Sequence, residues 1–247
     1  MQRYFAQEEQ ICLEKHRIEL GPDDRNHMKN VLRLKAGDVV WVSDGRSKEY
    51  RCAIEEYTAS SVVLHIQYAQ EPSYELPGEI VLYQGLPKAD KMELIIQKAV
   101  ELGASRVVIV GTRRCVARLE EGKQARKLER WNLISESAAR QSRRLRIPEV
   151  GPYMSFEQAL KDAAGLDTVL IPYELEEGMD QSRQVIGQIR PGQSIGIFIG
   201  PEGGFEEEEI RMARQAGAVP ISLGHRILRT ETAGLALLSV LMFQLDR

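Results

Sequence analysis

Cysteine is scarce in this chain: Cys12, Cys52 and Cys115 are the only three, odd in number and widely spaced. That excludes a disulfide framework and a paired-cysteine zinc pattern, so three reduced thiols are expected. Histidine is equally thin. His16, His27, His65 and His225 show no ligand spacing, and no metal site is expected. The longest apolar run, Ala233–Phe243, has 11 residues, too short to cross a bilayer, so no membrane partner is expected. The first residues are charged at once and hold no apolar signal core, which leads us to expect a soluble, cytoplasmic protein. What is present is ordinary for a folded chain. The 247 residues are 43% apolar and 28% charged, enough for one large or two modest domains with a real core.

The net charge of −3 hides an asymmetry. Residues Arg113–Arg146 hold eleven Lys/Arg against four Glu, a local +7, and Arg25–Lys35 adds four basic residues and no acid. Two such clusters suit a polyanion as well as they suit a solvated helix face.

The texture of the chain changes near residue 70. Before it, Val39–Ser43, Tyr50–Ile54 and Val62–Tyr68 are β-branched, aromatic-rich and partly alternating, with turn residues between them. One short helix is predicted over Pro22–Leu34. Residues 1–70 therefore read as a small, mostly antiparallel barrel, closed to hide its edges. Residues 71–79, with Pro72, Pro77 and Gly78, read as a linker. Residues 80–247 alternate apolar strands (Ile80–Gln84, Arg106–Val110, Thr168–Ile171, Ile195–Ile199 and Val219–Leu223) with helical patterns. Short apolar runs of this kind predict a parallel α/β sheet with helices on both faces. Cap signals open the helices at Asp90-Lys-Met-Glu93, Ser155-Phe-Glu-Gln158 and Glu206–Glu209. The final helix, about Glu231–Leu245, is almost wholly apolar and must be covered by its own domain or by a partner.

Three loops follow three of these strands: Ile171-Pro172-Tyr173-Glu174, Ile199–Phe205 (IGPEGGF) and Leu223–Thr232 (LGHRILRTET). In parallel sheets ligands collect at that carboxyl edge. The glycine loop matches neither a phosphate loop nor a dinucleotide fingerprint, although Gly200, Gly203 and Gly204 let backbone groups approach a ligand closely. Thr230 is placed to cap the last helix. Capping does not account for Arg226 and Arg229, which flank an apolar Ile227-Leu228 step.

IGPEGGF and LGHRILRTETA together resemble the C-terminal signature of the SPOUT superfamily, and more narrowly the bacterial 16S ribosomal RNA uracil-N3 methyltransferases. Gln84–Gly103, Arg130–Ser142 and His27–Asp38 resemble the same family, so the likeness runs over nearly the whole chain; it departs from the family pattern at His225 and Arg140. The resemblance implies a PUA-like β-barrel followed by a SPOUT α/β domain with a deep trefoil knot, active as a homodimer. It also implies S-adenosyl-L-methionine in the knot. The residues implied to hold it are Leu170, Ile171, Pro172 and Glu174 of the first loop and Ile199, Gly200, Pro201, Glu202, Gly203 and Gly204 of the second. From the third come Leu223, Gly224, Arg226, Ile227, Leu228, Thr232 and Ala233.

The residue chemistry agrees with that implication. An adenine ring and a methionine tail need an apolar slot with a few backbone donors and acceptors. Glu174 or Glu202 can serve the cationic sulfonium or the ribose hydroxyls. Methylation at uracil N3 requires loss of a weakly acidic proton, and fixed cations beside the two carbonyl oxygens stabilise the resulting anion. Arg229 is the first candidate, with Arg3 or Arg226 as the other; Arg229 could instead pair with Glu231 or Glu202 and only shape the loop. Glu202, Glu231 and bulk water are the candidate proton acceptors. Lys29, Arg33, Lys35, Arg143, Arg144 and Arg146 are nominated to hold RNA phosphates of the small ribosomal subunit. The alternatives are a ribose 2′-O methyltransferase with a similar knot and a non-catalytic RNA-binding assembly protein.

Overall fold

The computed structural model describes residues 2–72, 74–119, 121–176 and 178–246; Ser73 of the predicted linker lies outside them. The chain divides into two compact units, one of residues 1–75 and 139–147, the other of residues 76–138 and 148–247. The basic stretch that ends at Arg146 is thus shared between them.

In the first unit the chain runs β1 (Arg3–Phe5), β2 (Ile11–Cys12), β3 (Arg17–Leu20), α1 (Pro22–Asn26), β4 (Val39–Ser43), β5 (Glu49–Tyr57) and β6 (Val62–Gln70). The sheet order is β1-β4-β5-β6-β3-β2, antiparallel except where β1 lies parallel to β4. The terminal strands β1 and β2 have three and two residues, too short to template another sheet. Alternation sends Val40, Val42, Tyr50, Cys52, Ile54, Leu64 and Ile66 into one core with Tyr4, Ile18, Leu20 and Met28. Burial pushes the Cys52 thiol up to about 12. The predicted helix over Pro22–Leu34 is shorter than expected. α1 passes into a π-turn over His27–Val31, and Arg33 then takes a left-handed φ of +57°, which ends any helix.

Arg144 and Glu75 hold residues 139–147 in this unit. Arg144 is 5% exposed, and its Nε and Nη2 donate to Glu75 Oε2 at 3.0 and 2.5 Å. The Leu145 N–H donates to Oε1 of the same carboxylate at 2.8 Å. Burial acts to raise the Glu75 carboxyl, but the Arg144 bonds and charge, with the Leu145 and Arg146 N–H groups, outweigh it and hold it below the usual carboxylate range. Its contribution to stability is therefore complete above that range and is lost as pH falls through the lowered value. Glu75→Gln is expected to destabilise the protein by about 2 kcal/mol at neutral pH, a deficit that denaturant midpoints should show closing in acid.

The second unit contains β7 (Glu79–Gly85), α2 (Lys91–Glu101), β8 (Arg106–Gly111), α3 (Glu121–Gln141), β9 (Glu149–Ser155), α4 (Phe156–Ala163), β10 (Thr168–Pro172), α5 (Asp180–Gln188), β11 (Ser194–Ile199), α6 (Glu207–Gln215), β12 (Val219–Ile221) and α7 (Thr230–Leu245). All six strands are parallel, in the order β12-β10-β11-β7-β8-β9. β9 is an addition to the five expected strands. Its Gly151-Pro152 step reads as a loop, but proline is tolerated on an edge strand, and β9 is the edge. Asn132 of α3 covers it, donating to Val150 O at 2.9 Å and accepting from Val150 N at 3.0 Å.

The two sheet faces pack separate helices, as the apolar runs predict. Val81, Tyr83, Val108 and Phe198 meet Phe156, Ala159 and Leu160 of α4 and Ile210 and Ala213 of α6. On the other face Gly234 brings α7 close over Leu82 and Ile199, where an added Cβ would stand 3.9 and 3.6 Å from their side chains. Each buried Leu, Ile or Phe contributes about 1.5–3 kcal/mol to this packing. No helix among the described residues is long and apolar enough to cross a membrane.

Candidate active site

A cleft of about 890 Å³ opens at the carboxyl edge of the parallel sheet, large enough for a ligand of nucleoside size. The order β12-β10-β11-β7 makes neighbours of four strands that are far apart in sequence, so their following loops converge. Pro172 and Glu174 enter from β10; Ile199, Gly200, Pro201, Glu202, Gly203 and Gly204 from β11; Leu223, Gly224, Arg226, Ile227, Leu228 and Arg229 from the segment after β12, with Ala233 on α7. Three of the expected residues are not on this wall: Leu170 and Ile171 are buried within β10, and Thr232 is turned outward on α7. Ile227 lines the cleft but is 90% exposed.

The glycines meet real constraints. Gly204 has φ +69°, and a Cβ there would stand 2.8 Å from Glu174 Oε1. Gly224 has φ +107°. Gly200 packs against Gly204 so closely that a Cβ on it would lie 3.2 Å from the Gly204 backbone. The loop is also tied from outside: Arg114 Nη1 donates to Gly203 O at 3.0 Å, and the Arg113 N–H donates to Glu209 Oε1 at 2.9 Å. Part of the basic stretch thus serves to hold this turn.

Thr230 does something other than cap. Arg229 is the N-cap residue of α7, and no side chain caps that end. Thr230, 4% exposed, donates its hydroxyl to Gly200 O at 2.6 Å and accepts from Gln84 Nε2 at 2.9 Å. One buried chain of bonds therefore joins β7, the glycine loop and the start of α7. The cap expected at Ser155 is formed as a capping box, and the acidic first turn expected at Glu206–Glu209 opens α6, whereas Asp90 precedes α2 without a side-chain cap bond.

Lys91 is a site residue that the sequence reading missed. At the first position of α2, it places Nζ 3.1 Å from Glu202 Oε1 and 3.3 Å from Glu231 Oε2. Hydrogen bonding to Glu202 leads the effects that raise its ammonium above the ordinary lysine value. Burial acts to raise the Glu202 carboxyl, but its own backbone N–H, Lys91 and the Lys88 N–H outweigh it and hold it below the usual range. Lys91→Met is expected to weaken donor binding severalfold by releasing both carboxylates, with Lys91→Arg restoring much of it; calorimetric titration measures both.

This arrangement decides what Arg229 can do. Because Lys91 takes both Glu202 and Glu231, Arg229 and Arg226 have no ion pair among the described residues. Two free guanidinium groups therefore border the cleft. Arg3 is elsewhere, in the first unit, 7% exposed. Its Nη2 lies 2.6 Å from Glu49 Oε2 and its Nη1 donates to Arg143 O at 2.5 Å, so its charge is already neutralised. Of the phosphate candidates, Lys29, Arg33, Lys35, Arg143 and Arg146 are exposed, while Arg144 is enclosed by Glu75. The described residues gather no group of three or more metal-ligating side chains.

Comparison with known proteins agrees in both halves. The chain matches the RNA methyltransferase domain over residues 74–242 and the RNA methyltransferase PUA domain over residues 20–67. It is 35% identical to the ribosomal RNA small subunit methyltransferase E of Bacillus subtilis, covering 100% of this chain and 98% of that protein. It is 32% identical to the protein of the same name from Mycobacterium bovis, covering 85% and 80%. The crystal structure of a ribosomal RNA small subunit methyltransferase E from Neisseria gonorrhoeae, bound to S-adenosyl methionine, superposes with a TM-score of 0.85 at 30% identity, covering 98% and 97%.

Proposed function

The chain belongs to the RNA methyltransferase family, and from that premise we propose that it methylates N3 of a uridine in 16S ribosomal RNA, using S-adenosylmethionine. The observation that carries the proposal is a glycine-lined cleft at the sheet's carboxyl edge with two uncommitted guanidinium groups on its rim. The residues present fit the donor. Pro172, Ile199, Leu223 and Leu228 supply an apolar slot, Gly200, Gly203, Gly204 and Gly224 supply approachable backbone, and Glu174 and Glu202 supply negative charge for a cation.

When bound, S-adenosylmethionine supplies an electrophilic methyl group on a positively charged sulfur. The protein's own work is to orient and to stabilise. Glu202, kept ionised by Lys91 and the Lys88 N–H, provides fixed negative charge. Arg229 donates to a uracil carbonyl oxygen as the N3 proton passes to solvent water, stabilising the anion in a partly enclosed site where such bonds are strongest. Arg226 flanks it. The target base must be unpaired or extruded to reach this cleft.

The first unit, residues 1–75 with 139–147, holds the RNA, and the second, residues 76–138 and 148–247, is the catalytic one. Lys29, Arg33, Lys35, Arg143 and Arg146 hold phosphates, so RNA affinity is expected to fall steeply with salt. The trefoil knot and a homodimer belong to the same reading. Phe243, 83% exposed on α7, and Val240, 47% exposed, give a second copy an apolar surface to cover. The protein then works in the cytoplasm, where ribosomal subunits are assembled. Incubating ribosomal RNA and small subunits from a strain lacking this protein with donor, then identifying the product nucleoside by mass and retention time, tests the proposal. 3-Methyluridine is expected. A 2′-O-methylated nucleoside would move the chemistry to the ribose, and an unmodified RNA would overturn the proposal.

A further inference from the structure

The outer face of the first unit's sheet holds a row of side chains that the methylation chemistry leaves unused. In register across β1, β4, β5 and β6 stand Arg3, Trp41, Arg51 and Tyr68. The alternate residues of β4, β5 and β6 fill the core, so Trp41, Arg51 and Tyr68 face outward, while Arg3, 7% exposed, is the covered end of the row. The Trp41 and Tyr68 rings meet edge to face at 5.7 Å and 82°, an arrangement that covers only one face of one ring. The Arg51 guanidinium lies 6.0 Å from the Tyr68 ring centre, and that of Arg3 lies 5.3 Å from Tyr74. Tyr68 and Tyr74 are 48% and 43% exposed, so aromatic surface stays open to solvent at a place already crowded with guanidinium groups.

Positive charge borders the same face. Two residues beyond Trp41, Ser43 Oγ donates to Leu145 O at 2.7 Å, and Arg3 donates to Arg143 O. These two bonds lay residues 143–146 beside the row. There Arg143, at φ +62°, and Arg146 are exposed, and neither pairs with a carboxylate among the described residues. Aromatic rings beside unpaired guanidinium groups match the chemistry of single-stranded nucleic acid, in which bases stack on π-faces and phosphates follow the cations. A duplex keeps its bases stacked on one another and has none to offer.

We propose that the Trp41–Arg51–Tyr68 row, edged by Arg143 and Arg146, is a stacking platform for unpaired bases of single-stranded RNA. This rests on the reading that the substrate is RNA, and adds which form of RNA the first unit selects. It also separates two kinds of contact on one face, rings for bases and the 143–146 edge for phosphates.

Trp41 and Trp131 are the two tryptophans of the chain, and Trp131 is 5% exposed. A Trp131→Phe protein therefore makes Trp41 the sole tryptophan reporter. Titrated with a short oligouridine, it is expected to show quenched emission, with no quenching by a blunt RNA duplex of equal length. Tyr68→Ala and Trp41→Ala are each expected to weaken oligouridine binding about tenfold, and Trp41→Phe to restore it. Arg143→Gln with Arg146→Gln should weaken single strands and duplex alike and flatten the salt dependence. Unchanged Trp41 emission at saturating oligouridine would overturn the platform. So would a Tyr68→Ala protein with unaltered affinity, or one whose sedimentation changes in place of its RNA binding, which would make this face a contact between copies. Methyl transfer to substrate RNA, measured on the unsubstituted protein, keeps the two proposals apart: transfer without Trp41 quenching removes the platform alone, and quenching without transfer removes the methyltransferase reading alone.

Discussion

Gly85→Ala is expected to weaken donor binding by up to about a hundredfold while leaving a folded protein. Gly85 ends β7 with its Cα turned against the glycine loop. A Cβ there would stand 2.7 Å from Pro201 N and 3.0 Å from Gly200 C. Both are backbone atoms, so no side-chain rotation relieves the overlap and the loop itself must move. That loop carries Gly200–Gly204, and it is pinned on its other side by Thr230, so a displacement breaks the pin as well. Overpacking of this kind costs about 1–3 kcal/mol, borne mainly by the wall of the cleft. Calorimetric titration should find donor affinity lower by up to about a hundredfold, which is that range at its upper end. Gly122→Ala is the control, because an added Cβ there meets nothing within 4 Å. A Gly85→Ala protein that binds donor normally would show that the glycine loop is not what grips it.

Arg229→Ala separates catalysis from binding. Arg229 lines the cleft with its charge uncommitted, because Lys91 occupies the two carboxylates that would otherwise hold it. Removing one preorganised donor to a developing oxyanion lowers turnover by about 10²–10³-fold. The donor cleft keeps its apolar slot and its glycine turns, so donor affinity is expected to stay nearly unchanged. Arg229→Lys should recover part of the rate, since it restores charge without the planar fork. Single-turnover methylation, with donor binding measured alongside, makes the split visible. Normal turnover in Arg229→Ala would transfer the anion-stabilising role to Arg226.

Much of this was legible in the sequence because it depends on local pattern. The apolar runs at 80–84, 106–110, 168–171 and 195–199 became parallel strands almost to the residue, and the glycine loop Ile199–Phe205 became part of the wall of the cleft. What stayed hidden depends on distant partners. Arg3 and Arg144 read as free cations, yet Glu49 and Glu75 lie far along the chain and neutralise them in the folded unit. Lys91 read only as part of the cap signal Asp90-Lys-Met-Glu93, since its two carboxylates, Glu202 of the glycine loop and Glu231 of α7, lie more than a hundred residues away. The close approach that demands glycine at position 85 is likewise made by residues 200 and 201. β9 was hidden for a different reason, its Gly-Pro step being a loop signal everywhere except at a sheet's rim. Thr230 satisfied the local rule for a cap and was used instead for a bond across the fold.

That bond has a consequence for how the molecule comes into being. Gln84 emerges early during synthesis, Gly200 much later and Thr230 later still, so a ribosome-bound chain that has finished β11 possesses most of its sheet but no grip on a ligand. A chain released before residue 230 lacks the link from Thr230 to Gly200 and is expected to hold the donor poorly.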